Sequence, residues 1–377
     1  MVARAILALL VAGVLSSALT PLAMRVAYAR GFVDRPGGWK THGHATPLLG
    51  GAAALLALLP PALVFGDDRS RLVLALAPAV LLCIVGTIDD LRNVSVRLRL
   101  LGVGLAGVAL WAGDLGWNLG VAWWINLLLT VFWVIGIVNA INLLDLMDGV
   151  AGSVVVAITL SAGVLALHRH QATVGILGFA TAGGILGFLR YNTARPARIF
   201  LGDGGSMPLG LLCAVGTMGA LRSTGDGSGL CAGLLIMGFP LLDMGFRIVL
   251  RLSRGISLLT AGSDSLVNRA RERTSSELAV ALLAGAIQLA LGSIAIAALS
   301  AGSATVVTVF AATVVMGIVG ATAIQYCSAT WLHQSRTQSM TPATLPELSE
   351  HYLAKAYPDS EQQHSHTHMS QMRADEG

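Results

Sequence analysis

The stretch VAWWINLLLTVFWVIGIVNAINLLDLMDGV, residues 121–150, decides how this chain folds. Residues 121–139 carry no charged side chain. As a helix rising 1.5 Å per residue they cover the ~30 Å hydrocarbon core of a bilayer. The stretch then turns polar at every third residue: Asn139, Asn142, Asp145 and Asp148. Residues at that spacing form a polar ridge along a helix that is otherwise apolar.

Working outward, ten further apolar runs flank this one, at about 2–24, 48–66, 71–88, 98–113, 150–167, 171–189, 207–222, 229–250, 277–299 and 303–325. A span needs ~17–25 residues, so the runs at 98–113 and 207–222 are expected to be short. The first run has no small-residue cleavage site before Met24-Arg25 and is read as a helix, not a signal peptide. Composition agrees: the chain is 55% hydrophobic and 12% charged, with a mean hydropathy of +0.73. Soluble domains carry about twice that share of charge. Four cysteines without CxxC spacing exclude a disulfide scaffold and a thiol metal site. The expectation is an all-α, polytopic integral membrane protein with about eleven transmembrane helices. Residues 1–325 form its membrane domain. Residues 326–377 form a polar, Pro- and His-containing tail, expected to be disordered.

The net charge of +4 does not signal nucleic acid once the charges are located. Of the 24 Lys and Arg residues, nineteen fall in one set of alternating loops and in the tail, and five in the other set. The positive-inside rule then puts the N-terminus outside and the C-terminus in the cytoplasm. Acids concentrate on the same basic side. Asp89 and Asp90 follow the third run, and their mutual repulsion asks for a cation nearby; a hydrated helix end balanced by Arg92 is the plainer alternative. Asp203 lies in FLGDGGSMPLG, where glycines admit a ligand close to backbone and the next helix aims its N-terminus at an anion. Asp243 and Arg247 are explained as an i,i+4 pair. Hard carboxylate oxygens suit Mg²⁺, and Mg²⁺ with Lys and Arg suits a diphosphate. The residues alone therefore point to Mg²⁺-dependent chemistry on a phosphorylated substrate at the cytoplasmic leaflet.

Four blocks, in order, resemble the polyprenyl-phosphate N-acetylhexosamine-1-phosphate transferases (glycosyltransferase family 4): GFVDRPGGWKTHGHATPLLGG (31–51), GTIDDLRNVSVRLR (86–99), NAINLLDLMDGVAG (139–152) and YNTARPARIFLGDGGSMPLG (191–210). They are closer to the GlcNAc-1-phosphate branch than to the phospho-MurNAc-pentapeptide branch. The resemblance implies that undecaprenyl phosphate attacks the β-phosphorus of a UDP-sugar at the cytoplasmic face of a bacterial inner membrane, and that UMP leaves. It implies Mg²⁺, with Mn²⁺ as a substitute, on Asp203, with Asp89 and Asp90 as further candidates. Asp89, Asp90, Asp148 and Asp203 become the catalytic acids. Lys40, Thr46, Asn139, Asn142, Asp145 and Asn192 become substrate contacts, and Leu146, Met147 and Phe200 walls of a uridine pocket. Partners would be the UDP-sugar, the polyprenyl phosphate and membrane lipid, with no nucleic acid; a homodimer is left open.

Three positions depart from the family pattern. Asn93 replaces the third acid of the Asp-Asp block, and Leu146 replaces a glycine. The loop after the ninth run, GISLLTAGSDSLVNRARERTSSE, has no histidine where the family carries a cluster; Ser265, Val267 and Asn268 stand there. Arg269 and Arg271 could serve as phosphate ligands instead, or simply follow the positive-inside rule. The missing histidines also leave open a non-catalytic member that binds polyprenyl phosphate or UDP-sugar. A transporter fits less well, because its acids would lie at mid-span.

Overall fold

The computed structural model describes residues 1–35, 45–92, 94–224, 227–257, 264–274 and 276–338, without the side chains of residue 223 and residues 324–338. Lys40, Asn93 and the tail from residue 339 lie outside the described residues.

The protein is an all-α, polytopic membrane protein, and each apolar run meets a helix. These are α1 (Val2–Arg30), α2 (Gly50–Phe65), α3 (Arg69–Arg92), α4 (Val96–Ala112), α5 (Trp123–Leu144), α6 (Val150–His168), α7 (Ala172–Asn192), α8 (Asp203–Leu221), α9 (Gly227–Ile236), α10 (Gly238–Ser253), α11 (Leu266–Arg273), α12 (Glu277–Ala301) and α13 (Ser303–Gln338). Among the described residues eight helices are long and apolar enough to cross a membrane alone, or nine if α9 and α10, bent by 81°, are one broken span. The run at 98–113 is short as expected: α4 has 17 residues. The run at 207–222 is not, because α8 starts four residues earlier, at Asp203, and has 19 residues. The run at 48–66 is the unexpected short one. Its helix α2 has only 16 residues, carries Pro60 and Pro61 in its last turns and stops at Gly66.

Small residues set the packing. Ala5, Ala8, Ala12 and Ser16 form the buried stripe of α1, and it meets Gly183 and Gly187 of α7. A Cβ on Gly183 would stand 2.1 Å from the Leu9 carbonyl oxygen. Such close backbone approach is what holds helices together where lipid removes the hydrophobic drive. Nearly every residue of α8 is buried, and α8 packs against α2, α3, α5, α6 and α7. It is the central post of the bundle.

Contacts divide the chain into Met1–Thr322 and Ala323–Gly377. In the second unit, residues through Gln338 are helical. Within the first, ion pairs sort the charges to two ends. Arg4 pairs with Asp67 and Arg222 with Asp114 at one end. At the other lie Asp34, Asp89, Asp90, Arg99 and Asp203. There a two-stranded hairpin, β1 (Val33–Asp34) and β2 (Thr46–Pro47), pairs antiparallel with Asp34 opposite Thr46.

Candidate functional site

The site is built on the first turn of α8. Gly202 takes a positive φ of 71°, which an L side chain rarely adopts, and turns the chain into the helix. The helix is capped from 113 residues away: the Asp203 N–H donates to Asp90 Oδ1 at 2.9 Å and the Gly204 N–H to Asp90 Oδ2 at 3.1 Å. The glycines and the helix start at Asp203 lead one to expect an anion site on these N–H groups. The protein's own carboxylate takes those two N–H groups instead, satisfying orphan donors that every helix start leaves.

Asp89, one residue earlier, faces another way. It is buried and accepts the Val94 N–H at 2.6 Å on Oδ1. Its Oδ2 accepts from Arg99 Nη1 at 2.8 Å, and the same Nη1 donates to Asp203 Oδ2 at 3.0 Å. One guanidinium thus bridges the two acids. Asn142 Nδ2 donates to Asp203 Oδ1 at 2.6 Å and to Ser206 Oγ at 2.9 Å. By sequence Arg99 is one of the nineteen basic residues on the cytoplasmic side. Ser95 caps α4 through the Leu98 N–H, which starts the helix so that Arg99 returns over the Asp-Asp turn.

The polar ridge is shorter than the three-residue spacing suggests. Because α5 ends at Leu144, only Asn139 and Asn142 share a helix face, and Asn139 Nδ2 is bonded to its own helix at the Ile135 carbonyl. Asp145 is the C-cap, and Asp148 lies in the turn to α6. Burial raises the Asp145 carboxyl well above the usual carboxylate range, and the charges of Asp203, Asp90 and Asp148 push the same way. Leu146 is half exposed, while Met147 packs against the core.

Asn192, Thr46 and Phe200 act as braces. Asn192 Oδ1 accepts the Gly149 N–H at 2.7 Å and its Nδ2 donates to the Ile199 carbonyl at 3.0 Å. In the structure this expected substrate contact ties the turn after Asp148 to the strand-like stretch before Asp203. Replacing Asn192 by Leu should leave both backbone groups buried and unmet, costing about 2–4 kcal/mol. A detergent melting curve that fails to drop by several degrees would remove it from this role. Thr46 is buried in the hairpin. The Phe200 N–H donates to the Pro47 carbonyl at 2.8 Å, and the Gly50 N–H to the Phe200 carbonyl at 3.2 Å.

The arginines after the ninth run lie on a separate arm. Asp243 and Arg247 form the expected i,i+4 pair at 2.9 Å. They also do more: Arg247 Nη2 donates to the Leu143 carbonyl at 2.9 Å, and the Leu266 N–H donates to Asp243 Oδ1 at 2.7 Å. The pair thus joins α10 to the end of α5 and to the start of α11. Arg269 stacks over Phe246 at 5.0 Å, and Arg271 pairs with Glu277 at 3.3 Å. Ser265 caps α11 and is buried, as is Val267.

A cavity of about 380 Å³ opens among Asp34, Leu48, Asp89, Asp90, Arg99 and Asp203. Asp34 was not among the expected site residues; only the hairpin brings it here. A larger cavity, about 460 Å³, lies at the opposite end, but its acids are matched by arginines: Asp67 by Arg4, Asp68 by Arg71. The acidic cavity is the candidate site. Among the described residues no three Asp, Glu, His or Cys side chains converge as a ready metal cage. Mg²⁺ does not require one, since it is held by one or two carboxylates with water and substrate phosphates. The carboxylate of Asp203, which lines the cavity beside Asp89 and Arg99, fits that mode.

Comparison with known proteins agrees with the motifs. Residues 72–220 match the sequence model of glycosyl transferase family 4. Over 251 residues the chain is 29% identical to a probable undecaprenyl-phosphate N-acetylglucosaminyl 1-phosphate transferase of Bacillus subtilis (strain 168), covering 62% of this chain and 68% of that protein. It is 29% identical over 256 residues to an undecaprenyl-phosphate alpha-N-acetylglucosaminyl 1-phosphate transferase of Yersinia pestis, covering 64% and 70%. It is 33% identical over 202 residues to a phospho-N-acetylmuramoyl-pentapeptide-transferase of Moorella thermoacetica, covering 48% and 62%.

Proposed function

We propose, from the premise that residues 72–220 form a glycosyl transferase family 4 domain, that this membrane protein transfers a sugar-1-phosphate from a UDP-sugar to a polyprenyl phosphate. The sugar is an N-acetylhexosamine and the acceptor undecaprenyl phosphate. An oxygen of the lipid phosphate bonds to the β-phosphorus, the bond from that phosphorus to the bridging oxygen breaks, and UMP leaves. The site faces the cytoplasm of a bacterial inner membrane, with the N-terminus outside. The observation that carries this reading is the bridge Asp89–Arg99–Asp203 in an acidic cavity at one end of the bundle.

Phosphoryl transfer asks the protein mainly for positioning and charge neutralisation. Arg99 supplies a fixed fork that matches phosphate oxygens. Asp89, bonded to that fork, orients it toward the lipid phosphate. Asp90 serves by fixing the start of α8, and Asn142 by fixing the Asp203 carboxylate. Asp203 would hold Mg²⁺, or Mn²⁺ in its place, which when bound would neutralise diphosphate oxygens. Arg269 and Arg271, on the arm, meet the donor's phosphates.

The test is UMP release from a panel of UDP-sugars by membranes supplied with undecaprenyl phosphate. Release with one UDP-N-acetylhexosamine, lost on chelation and restored by Mg²⁺, is the expected result. Silence with every donor, while the Bacillus subtilis relative works in parallel, would end the proposal. A binder without turnover is the second reading. It is favoured by Ser265 and Val267, which are turned inward at histidine positions, and it predicts UDP-sugar binding with no UMP.

A further inference from the structure

α9 and α10 would be one straight span but for Gly238-Phe239-Pro240. Proline has no N–H, so the carbonyl four residues back, that of Ile236, loses its helical donor. The 81° bend takes the Phe239 N–H off the ladder as well. Inside hydrocarbon, freed backbone groups must be met by the protein itself. One side chain meets both. Gln288, in the middle of α12 and wholly buried, accepts the Phe239 N–H on Oε1 at 3.0 Å and donates from Nε2 to the Ile236 carbonyl at 2.6 Å. A primary amide carries donor and acceptor side by side and so stands in for a peptide unit. Gly238 lets α12 come this close: a Cβ there would stand 2.8 Å from Leu291 Cδ1, three residues along α12 from Gln288.

The bend directs everything beyond it. Past the break, α10 carries the Asp243–Arg247 pair, which reaches Leu143, two residues before Asp145, and Leu266 at the start of α11. The angle at Met237 therefore sets where Arg269 and Arg271 stand relative to the Asp145 turn. We propose that Gln288 is a positioning residue: by holding the α9–α10 break it places the arginine arm for the donor's diphosphate. Its part in turnover rests on the transferase reading; its hold on the break does not.

The experiment uses the full chain in nanodiscs, with Cys83, Cys213, Cys231 and Cys327 replaced and nitroxides at the exposed Leu91 and Leu252. Gln288→Met keeps the volume and deletes both bonds. Gln288→Glu, in its protonated form, keeps an O–H donor and a carbonyl acceptor. Wild type and Gln288→Glu should share one narrow distance distribution, and Gln288→Met should shift or broaden it. In UMP release, Gln288→Met should raise the UDP-sugar KM about tenfold, by misplacing the arginine arm, a smaller loss than the ~10²-fold that a 1 Å misplacement can cost, and leave the lipid-phosphate KM within about twofold; Gln288→Glu should restore it. An unchanged distance in Gln288→Met overturns the proposal, as does an equal fall in turnover with both KM values unmoved. If Gln288→Met does not accumulate, Gln288→Glu decides: a shifted distance or a raised donor KM counts against it. A wild type that releases no UMP ends the transferase reading alone, and the distances still judge the break.

Discussion

Asp203→Asn should lower kcat/KM about a thousandfold, the upper range for losing one preorganised electrostatic group, while the protein still folds. The substitution keeps shape and removes charge. Asp203 is the acid on which the site converges: Asn142 donates to one oxygen and Arg99 to the other. With a neutral amide there, Arg99 is left with Asp89 alone, and the all-oxygen donor set loses its central anion. Folding is spared because α8 is held through the backbone N–H groups of Asp203 and Gly204, bonded to Asp90, and neither belongs to the side chain being changed. Initial rates of UMP release, with melting curves beside them, give the check. A variant that melts like wild type and retains more than about a tenth of its kcat/KM would remove Asp203 from the centre of the chemistry.

Why Asp203 was legible and Arg99 was not is a matter of what distance along the chain conceals. Asp203 stood out because a carboxylate among glycines beside an apolar helix start is costly without a use. Arg99 had a sufficient ordinary explanation, since basic residues at helix ends are expected on the cytoplasmic side. Nothing in the sequence says that its partner lies 104 residues on. The same blindness covers Asp90. Paired acids announced a cation, yet one of the two is engaged by backbone N–H groups of another helix, and those donors leave no mark in a sequence. The apolar runs were readable because hydrocarbon thickness fixes their length, and they missed where ends are set by tertiary contacts, as at Asp203 and at Leu144. Gln288 shows the converse. A lone amide in an apolar helix is visible, but its meaning depends on a proline 48 positions earlier, and only the packed bundle brings the two together.

Gly86→Ala should cost about a hundredfold in kcat/KM without touching a charged group, the loss expected when a reacting constellation is misplaced by ~1 Å. A Cβ on Gly86 would stand 2.3 Å from the Asp203 carbonyl oxygen, 2.4 Å from its carbon and 2.7 Å from the Gly204 nitrogen. All three are backbone, so no side chain can swing away. Ordinary contact needs ~3.5 Å or more, so the start of α8 must retreat from α3 by about 1 Å. That is where the Asp90 bonds run, at 2.9 and 3.1 Å, and such a retreat takes both beyond hydrogen-bond range. Asp203 would then move away from Arg99 as well, because Arg99 is held by Asp89 on α3. The neighbouring helix cannot absorb the shift: on the α2 side a Cβ at Gly51 would already lie 1.9 Å from Gly205 Cα. Gly136→Ala is the matched control, since a Cβ there meets nothing within 4 Å. It should leave turnover unchanged and stability equal or raised by a few tenths of a kcal/mol, because alanine restricts the unfolded chain. If both alanine variants release UMP at the same rate, the backbone contact between α3 and α8 is not what places Asp203, and the capping bonds of Asp90 lose their functional meaning.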